Sequence, residues 1–561
     1  MTWSERIFFV LLLLFATGLR FVGLDFGRPD DLYFPSYAPT QTIHQNTVLQ
    51  PDEYQFVTPP LRMALTGSLN PEYYINPPLP TYITYLHIQL TGSATGLSHA
   101  DREGLNEREY APFWIYFVAR VHSALLGVLT VAVTYVLARM MGGRYSALFA
   151  GVLITVLPLL IQYAHYAKNS GIATGLSVLC VWASLMALRS PRWRWWLLML
   201  AGIAIGASSA SRYNASPASI VLCLVGIILY VRQPHFTTAV GVLGGWLLFP
   251  LTFLISIPAI IFAFDQFWYG FTYGFNHYIT GLHVTNAGQN VRIEVMRYLF
   301  VSVLSLPVVV AMFWGIVVTI PRKLFRRNFL MHNSPALDLM LIMAYLVPYV
   351  WVVLNPTNLF RSQELLLPIL PVLIVFAGLG AGWIIKHINT QSTRLMALPL
   401  LMLILIAQPI VMTLQFNYLI IKPDTRELMQ QWLYEQLPAQ ARIHLVGSYN
   451  VALDESFFDV SQTYDQFISF DELLADGVDY VVVSDAYFNN IALTDEVGTL
   501  EVVAQAKAYI ADYLQHPDRL AWIDRPQVLF ADNPLHLASY YHNPSLYVIC
   551  INPSVCSVSS D

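Results

Sequence analysis

The chain has 561 residues, of which 56% are hydrophobic and 12% are charged, and its mean hydropathy is +0.52. Soluble globular proteins carry about twice that fraction of charged residues, so this composition excludes an ordinary soluble globule. The formal net charge of −5 is not typical of a nucleic-acid-binding protein, so membrane lipid is the expected partner instead.

Eleven apolar runs are long enough for spanning helices, which need about 20 residues each. The first run continues through Gly23 into Leu24 without a small-residue cleavage site, so it is predicted to be a retained anchor rather than a signal peptide. The predicted spans cover residues 6–24, 113–138, 145–164, 170–188, 195–211, 215–231, 237–264, 299–320, 337–354, 365–385 and 395–416.

The basic residues of the loops indicate how these spans are oriented. Twelve Lys and Arg residues fall on the side of the N-terminus, against six on the other side. Because cytoplasmic loops carry the excess of positive charge, the N-terminus is predicted to be cytoplasmic, and an odd number of spans places the C-terminal region outside. The six outer residues are Arg120, Lys168, Arg212, Arg292, Arg297 and Arg361.

The predicted architecture is an α-helical polytopic membrane protein over residues 1–421, followed by an extracytoplasmic α/β domain over residues 422–561. Two polar loops, 25–112 and 265–298, interrupt the apolar part. In the soluble domain, Asp424 is a predicted N-cap, followed by Pro438 as a stop signal. The further elements predicted there are strands at 443–446 and 480–483 and a helix at 470–475. Cys550 and Cys556 also lie there, and their pairing is left open.

An acidic pair, Asp52-Glu53, lies in the polar loop that follows the first span. The chain holds three further Asp-Glu pairs, at Asp454, Asp471 and Asp495, which are expected to be solvated surface of the soluble domain. The first pair differs by its position, because a carboxylate there faces the membrane surface and a lipid-linked substrate.

Several short sequence motifs follow this pair along the chain. It runs through Gly67-Ser68-Leu69-Asn70-Pro71 and Pro77-Pro78-Leu79, then Ala119-Arg120-Val121-His122, Ala164-His165-Tyr166-Ala167, Ser211-Arg212-Tyr213-Asn214 and Leu365 to Pro371. Their order resembles the GT-C superfamily of polyprenyl-phosphate-sugar-dependent glycosyltransferases, which includes protein mannosyltransferases and lipid A aminoarabinose transferases. The resemblance covers most of the membrane part. It implies transfer of a single sugar, with inversion, from a polyprenyl-phosphate donor to an acceptor hydroxyl or amine on the extracytoplasmic face.

The resemblance also implies roles for individual residues. Glycosyl transfer from a phosphate needs a base for the acceptor proton and cations for the departing phosphate. Asp52 is the predicted base, and Glu53 is predicted to orient the loop or the acceptor. The predicted phosphate ligands are Arg212, Arg120, Lys168 and Arg361. The predicted sugar or acceptor contacts are Tyr54, Glu72, His165, Asn169, Tyr213, Asn214, His277, His283 and Arg292.

No cofactor is required by the sequence. His277 and His283 are six residues apart, a spacing that fits no standard metal-ligand motif, so no metal ligand is predicted and dependence on a divalent metal stays open. The sugar, the acceptor and the type of lipid carrier are likewise not determined.

Two departures from the family pattern concern charge. Relatives place an acidic residue shortly after the His165 position, where this chain has Lys168-Asn169-Ser170, and Glu72 is a substitute only if its loop folds back. Relatives often have Arg-Tyr before the late Leu-Leu-Pro helix, where this chain has Glu364-Leu365.

Two other classes remain open. A transporter predicts ionisable groups in the middle of the spans, which are nearly free of them in this sequence. A non-catalytic scaffold of the same fold, presenting its soluble domain to a partner, predicts that loss of the Asp52 carboxylate leaves function intact. An oligosaccharyltransferase is disfavoured because the Trp-Trp-Asp-type signature is absent.

Overall fold

A computed structural model describes most of the predicted membrane part and the centre of the C-terminal region. The described residues are 1–27, 53–91, 113–280, 291–320, 333–353, 363–446, 450–453, 457–463, 468–484, 519–523 and 545–556.

The membrane part is built from α-helices with short 3-10 and π segments between them. The helices are α1 (Trp3–Phe21), α2 (Tyr54–Thr66), α3 (Leu79–Thr91), α4 (Phe113–Gly142), α5 (Arg144–Thr155), α6 (Pro158–His165), α7 (Asn169–Arg189), α8 (Arg194–Ser211), α9 (Ser219–Arg232), α10 (Phe236–Ser256), α11 (Phe264–Thr280), α12 (Val291–Arg297), α13 (Leu306–Thr319), α14 (Pro335–Val353), α15 (Leu370–Lys386) and α16 (Gln391–Ile420). The 3-10 segments are Tyr213–Ala218, Pro258–Ile261 and Gln363–Ile369, and Tyr298–Val303 is a π-helix.

The chain is a multi-pass membrane protein, and every predicted span coincides with helical structure. Six of the described helices are long and apolar enough to cross a membrane, and the number rises to eight if each of two bent helix pairs is one span. The count of eleven spans therefore stays a prediction, and so does the orientation derived from it.

Three of the predicted spans are not single straight helices. The predicted span 145–164 is α5 and α6, bent by 50° at Pro158. The predicted span 237–264 ends early, because α10 stops at Ser256 ahead of Pro258, whose ring disfavours helix in the preceding residue. The predicted span 299–320 is two helical segments bent by 104°. Ser305 at this bend has a φ of 72°, and Pro307 opens the next helix without an amide hydrogen to continue the previous one.

The centre of the membrane part is α15, whose apolar face packs on α5, α4 and α13. Glycines allow the closest approach: a Cβ on Gly315 of α13 would lie 1.8 Å from the carbonyl oxygen of Phe376, and one on Gly380 of α15 would lie 2.0 Å from that of Ala311. The next layer is α7, which packs on α4 and α8. The N-terminal ends of these two buried helices are where the candidate site lies.

The segment between α1 and α4 folds into α2 and α3, which pack on each other. Helix α2 ends at Gly67, whose φ of 71° is the left-handed conformation typical of a helix C-terminus. Asn70 then organises the turn, since its side-chain oxygen accepts hydrogen bonds from the Glu72 amide and the Tyr74 hydroxyl. Burial raises the pKa of Tyr82 to about 12, so its hydroxyl stays a neutral donor to the Leu69 carbonyl.

The C-terminal region contains a small α/β sheet, as predicted. Its elements are α17 (Thr425–Gln436), β1 (Arg442–Val446), β2 (Asp459–Thr463), α18 (Phe470–Ala475), β3 (Tyr480–Ser484), β4 (Arg519–Ile523) and β5 (Leu546–Cys550). The strand order is β2-β1-β3-β5-β4, with β1 parallel to β2 and β3, and β5 antiparallel to β3 and β4.

Local sequence signals explain these C-terminal elements. Asp424 caps α17 in a capping box with Glu427, as its position predicts. Successive residues of β3 point to opposite faces: Val482 packs with Leu433 of α17, and Val481 packs with Leu473 of α18. Cys550 and Cys556 form a disulfide. The proposed domain boundary at residue 422 stays a prediction.

Candidate active site

Glu53, the second residue of the predicted acidic pair, is fully buried and bound to Arg120. The guanidinium of Arg120 donates from Nε to Oε1 at 2.9 Å and from Nη2 to Oε2 at 2.6 Å, a bidentate pairing. The amide of Ala167 adds a third hydrogen bond to Oε1 at 2.6 Å. Glu53 thereby joins the start of α2 to α4 and to the turn before α7.

Arg120 is held from a second direction as well. Its Nη1 donates to the carbonyl oxygens of Leu24 at 3.2 Å and Phe26 at 2.7 Å, and its guanidinium lies 3.8 Å from the centre of the Phe26 ring. These contacts fix the end of the first helical segment against α4. The predicted phosphate ligand Arg120 is thus placed as a structural anchor, with its donors directed at protein groups.

Two of the other predicted phosphate ligands, Lys168 and Arg212, meet at one carboxylate. Lys168 Nζ lies 2.5 Å from Glu364 Oε1, and Arg212 Nη1 forms an ion pair with Glu364 Oε2. Ser170 donates to the same Oε2 at 3.1 Å. Lys168, Arg212 and Glu364 together carry a net charge of +1, and we call them the triad.

Amide and hydroxyl groups hold the triad in place. Arg212 Nη1 also donates to Ser170 Oγ at 2.7 Å and Asn169 Oδ1 at 3.3 Å. The Asn169 amide donates to the Ser211 carbonyl at 2.8 Å and to Asn76 Oδ1 at 3.3 Å. The predicted sugar or acceptor contact Asn169 therefore lies beside the triad, at the first residue of α7, where helix amides favour negative charge.

A narrow cleft opens on Lys168 from between α2, α3 and α4. Its lining is mainly apolar and small and includes the Glu53-bound turn; the residues are Phe56, Pro80, Thr84, Ala119, His122, Ala167, Lys168 and Ile172. His122 also meets His87 of α3 edge to face, with ring centroids 5.8 Å apart. The cleft is small, with room for about one water molecule, and it brings apolar side chains next to Lys168.

Three other predicted contacts are placed in structural roles around this centre. His165 is fully buried, and its two ring nitrogens lie 2.8 Å from the Ile161 carbonyl oxygen and 3.0 Å from that of Val22. Tyr213 donates to the Tyr74 carbonyl at 3.1 Å. Glu72 is half exposed and pairs with Arg62 rather than with the triad.

Asn214 is linked through Tyr349 to the segment that carries Glu364. Its amide nitrogen donates to the Tyr349 hydroxyl at 3.0 Å, and that hydroxyl donates to the carbonyl of Leu365, the neighbour of Glu364. Its amide oxygen is buried and meets no donor within the described part of the chain. Asn214 therefore keeps an acceptor available near this segment.

The remaining predicted residues cannot be placed. Asp52, His283 and Arg361 lie outside the described residues, and the side chains of Tyr54, His277 and Arg292 are not described. Their predicted roles stay predictions. Among the described residues, no group of three or more His, Cys, Asp or Glu side chains is arranged to hold a metal ion.

Sequence reasoning missed Glu364 as a site residue. The signal was present, because Glu364 is an acidic residue at the start of a long apolar run, where a charge is costly unless it is paired. Asn76 and Ser170 were also missed, and nothing in the sequence distinguishes them from ordinary loop and helix-start residues.

Comparison with known proteins gives a family match over one part of the chain. Residues 77–279 match the profile of the family Dolichyl-phosphate-mannose-protein mannosyltransferase. No curated protein gives a significant sequence match.

Solved structures with a similar course of the chain include two enzymes. The archaeal oligosaccharyltransferase AglB from Archaeoglobus fulgidus, in complex with an inhibitory peptide and a dolichol-phosphate, aligns with a TM-score of 0.46 and 11% identity over 90% of this chain and 72% of its own. ArnT from Cupriavidus metallidurans aligns over all of both chains, with a TM-score of 0.45 and 12% identity when bound to undecaprenyl phosphate, and 0.46 and 13% in the apo state.

The family match covers little more than a third of the chain, and it includes Lys168, Asn169 and Arg212. Over residues 77–279 it confirms the predicted resemblance to glycosyltransferases that use lipid-phosphate-linked sugars.

Proposed function

We propose that this protein is an inverting glycosyltransferase that moves a single sugar from a polyprenyl phosphate to a hydroxyl or amine of an acceptor, on the extracytoplasmic face of the membrane. The observation that carries the proposal is the convergence of Lys168 and Arg212 at the N-terminus of α7. Both residues lie in the segment that matches the mannosyltransferase family.

The main requirement of the reaction is stabilisation of the departing phosphate. The bond between the anomeric carbon and the phosphate oxygen breaks, and the electron pair stays on the phosphate. Lys168 and Arg212 are nearly buried, so their charges act in a low-dielectric setting where they stabilise the developing anion more strongly than in water. The first amides of α7 add partial positive charge.

The acceptor must lose a proton as the new bond to the anomeric carbon forms. We assign that proton to the carboxylate of Asp52, the residue that precedes the anchored Glu53 in the chain. Glu53 is an unsuitable base because its two oxygens accept hydrogen bonds from Arg120 and the Ala167 amide. The division of roles within the pair follows: Asp52 reacts and Glu53 fixes the loop.

The site also suits the membrane-bound donor. The small cleft beside Lys168 is lined largely by apolar side chains such as Phe56 and Ile172, and Lys168 is the member of the triad that lines it. A polyprenyl chain entering from the bilayer would bring its phosphate to the cations without placing the charge in hydrocarbon. We propose this cleft as the approach of the donor head group.

The extracytoplasmic location rests on two independent features. One is the excess of basic residues in the loops on the N-terminal side, which places the C-terminal region outside if the spans number eleven, as predicted. The other is the Cys550–Cys556 disulfide in the C-terminal sheet, a bond that persists in oxidising compartments. Both support a C-terminal region outside the cytoplasm.

The test is donor-dependent release of lipid phosphate. The full-length protein in nanodiscs is incubated with a panel of polyprenyl-phosphate sugars, and free polyprenyl phosphate is measured. We expect release from at least one donor and a loss of about 10²–10⁴-fold in Asp52→Asn, since that is the usual contribution of a general base. Asp471→Asn, in an exposed Asp-Glu pair of α18, is the matched control and retains activity.

Two results would contradict the proposal. Folded wild-type protein that releases lipid phosphate from no donor would favour the scaffold class instead. Release that is equal in Asp52→Asn and the wild type would remove Asp52 from the mechanism and leave the transfer without its assigned base.

A further inference from the structure

The carboxylate of Glu364 occupies the same cations that the proposed function assigns to the donor phosphate. We propose that Glu364 is an internal competitor of the lipid phosphate. In the empty site its carboxylate neutralises part of the positive charge of Lys168 and Arg212. It is displaced when the donor binds, and it returns to these cations to help release the product. This inference rests on the proposed function and names Glu364 as a positioning residue that acts through Lys168 and Arg212.

The Glu364 carboxylate lies in a preformed anion-binding site. The two carboxylate oxygens divide the ligands, with Lys168 on Oε1 and with Arg212 and Ser170 on Oε2. Ammonium, guanidinium and hydroxyl donors are also the groups that bind phosphate oxygens. A phosphate at this position therefore needs no new ligands, only the departure of the carboxylate.

Burial gives the arrangement a direction. The side chains of Lys168 and Arg212 are 4% and 5% exposed, whereas that of Glu364 is 18% exposed. The carboxylate of Glu364 is thus the most exposed of the three charged groups. Glu364 is also the side chain whose displacement breaks the fewest other contacts. It belongs to the short 3-10 segment Gln363–Ile369, whereas Arg212 also donates hydrogen bonds to Asn169 and Ser170.

Charge explains what a competitor would achieve. The donor is a phosphodiester with one negative charge, whereas the released polyprenyl phosphate is a monoester that approaches two charges at neutral pH. With Glu364 withdrawn, two cations face the ligand and favour the more highly charged product. A carboxylate that competes for the same cations weakens product binding more than donor binding, so it opposes product inhibition.

A competing structural explanation makes a different prediction. If Glu364 only clamps α7 to the 3-10 segment, its removal destabilises the fold and leaves affinity for phosphate unchanged or lower. Asp338 provides the matched control, because its buried carboxylate accepts hydrogen bonds from Arg189 at 2.9 and 2.5 Å at the other end of α7.

The experiment measures binding of undecaprenyl phosphate to the full-length protein in nanodiscs. We expect Glu364→Gln to bind this lipid about tenfold or more tightly than the wild type, corresponding to about 1.4 kcal/mol. Asp338→Asn keeps the wild-type Kd. With a donor that the wild type uses, Glu364→Gln also shows a lower kcat and a stronger inhibition by added undecaprenyl phosphate, a split that a purely structural role does not produce.

An unchanged or raised Kd in Glu364→Gln protein with a native elution profile would overturn the inference, and so would equal tightening in Asp338→Asn. If Glu364→Gln fails to fold, Glu364→Asp keeps the charge but withdraws it by one methylene group; it should bind the lipid more tightly than the wild type, and an unchanged Kd again rejects the idea. Inorganic phosphate should compete only weakly, and competition equal to that of the lipid would reject the lipid assignment.

The two proposals fail in different ways. Failure of the proposed function is seen as the absence of release from every donor sugar. Failure of the competitor role is seen as an unchanged Kd for undecaprenyl phosphate while release proceeds normally.

Discussion

The two ends of α7 carry similar chemistry in different settings. At the N-terminal end, two cations share the carboxylate of Glu364, whereas at the C-terminal end Arg189 pairs bidentately with Asp338. The ends lie about 30 Å apart along a helix of 21 residues. The carboxylate at the N-terminal end is shared by two cations and is 18% exposed, whereas the carboxylate at the C-terminal end is 1% exposed and pairs with Arg189, which lies near Arg194 and Arg232.

This difference indicates a binding site at the N-terminal end of α7 and a structural ion pair at the C-terminal end. Buried ion pairs are costly to form and are weak evidence of stabilisation by themselves, but breaking one by removing a single partner is strongly destabilising. An unequal triad has an additional property, because it retains charge for an external anion. The same type of substitution at each end should therefore have different consequences.

The largest expected effect compares Arg212→Gln with Arg189→Gln. We expect Arg212→Gln to lower lipid-phosphate release by about 10²–10³-fold, the usual loss when one group that stabilises the transition-state charge is removed. Arg189→Gln should reduce the yield of folded protein while each folded molecule keeps its turnover. Release normalised to the native peak in size-exclusion chromatography checks both, and equal losses in the two variants would remove the distinction between the ends.

The next effect concerns stability. Asp338→Asn leaves the Arg189 guanidinium, whose side chain is 19% exposed, without its carboxylate and should destabilise the protein by up to about 3 kcal/mol. Glu364→Gln should also lower the Tm, but added undecaprenyl phosphate should restore it by replacing the lost negative charge. Thermal unfolding in nanodiscs with and without the lipid measures this, and rescue of Asp338→Asn to the same degree would show that the lipid acts on the whole fold.

The last effect concerns acid and a third region, the C-terminal sheet. Burial lowers the pKa of His444 in β1 to about 4, although Asp476 acts in the opposite direction. His444 lies between Ser461 and Thr463 of β2, with its ring nitrogens 2.8 and 2.9 Å from their hydroxyl oxygens. The folded sheet therefore holds this imidazole neutral.

The sign of the pH effect follows from proton uptake. Above about pH 6.5 the imidazole is neutral in the folded and unfolded chain, and its pairing in the sheet costs nothing. As the pH falls from 6.5 towards 4, the unfolded chain takes up the proton first, so the sheet loses up to about 3 kcal/mol of stability. Hydrogen exchange of β1 and β3, corrected for intrinsic rates, should show this loss. His444→Gln should abolish the dependence, and a slope that persists in this variant would assign it to other groups.

How far the sequence predicts this molecule depends on the range of the interactions involved. The apolar runs, the capping box at Asp424 and the strands at 443–446 and 480–483 are local patterns, and the structure has elements at each of these places. The shapes of three predicted spans were wrong because Pro158, Pro258 and Pro307 interrupt the helix within runs that stay apolar. Hydropathy measures how apolar a run is and not whether its backbone continues.

The candidate site was only partly predictable. Lys168, Arg212 and Asn169 were predicted because the family pattern and the scarcity of cations on one side of the membrane pointed to them, and the structure brings these three together. Arg120 was predicted for the same reason, yet the structure binds it to Glu53, a partner 67 residues away. Charge and position along the chain do not say which anion a guanidinium will meet.

The sequence by itself determined that this protein is embedded in a membrane, where most of its helical segments lie and that an α/β unit follows them, since these depend on composition and on neighbours within a few residues. Only the tertiary structure decided that Glu364 meets Lys168, 196 residues earlier, and Arg212, 152 residues earlier. Packing of α15 against the helices around it places the start of its 3-10 segment beside the start of α7. That meeting depends on how whole helices pack, which no local pattern in the chain encodes.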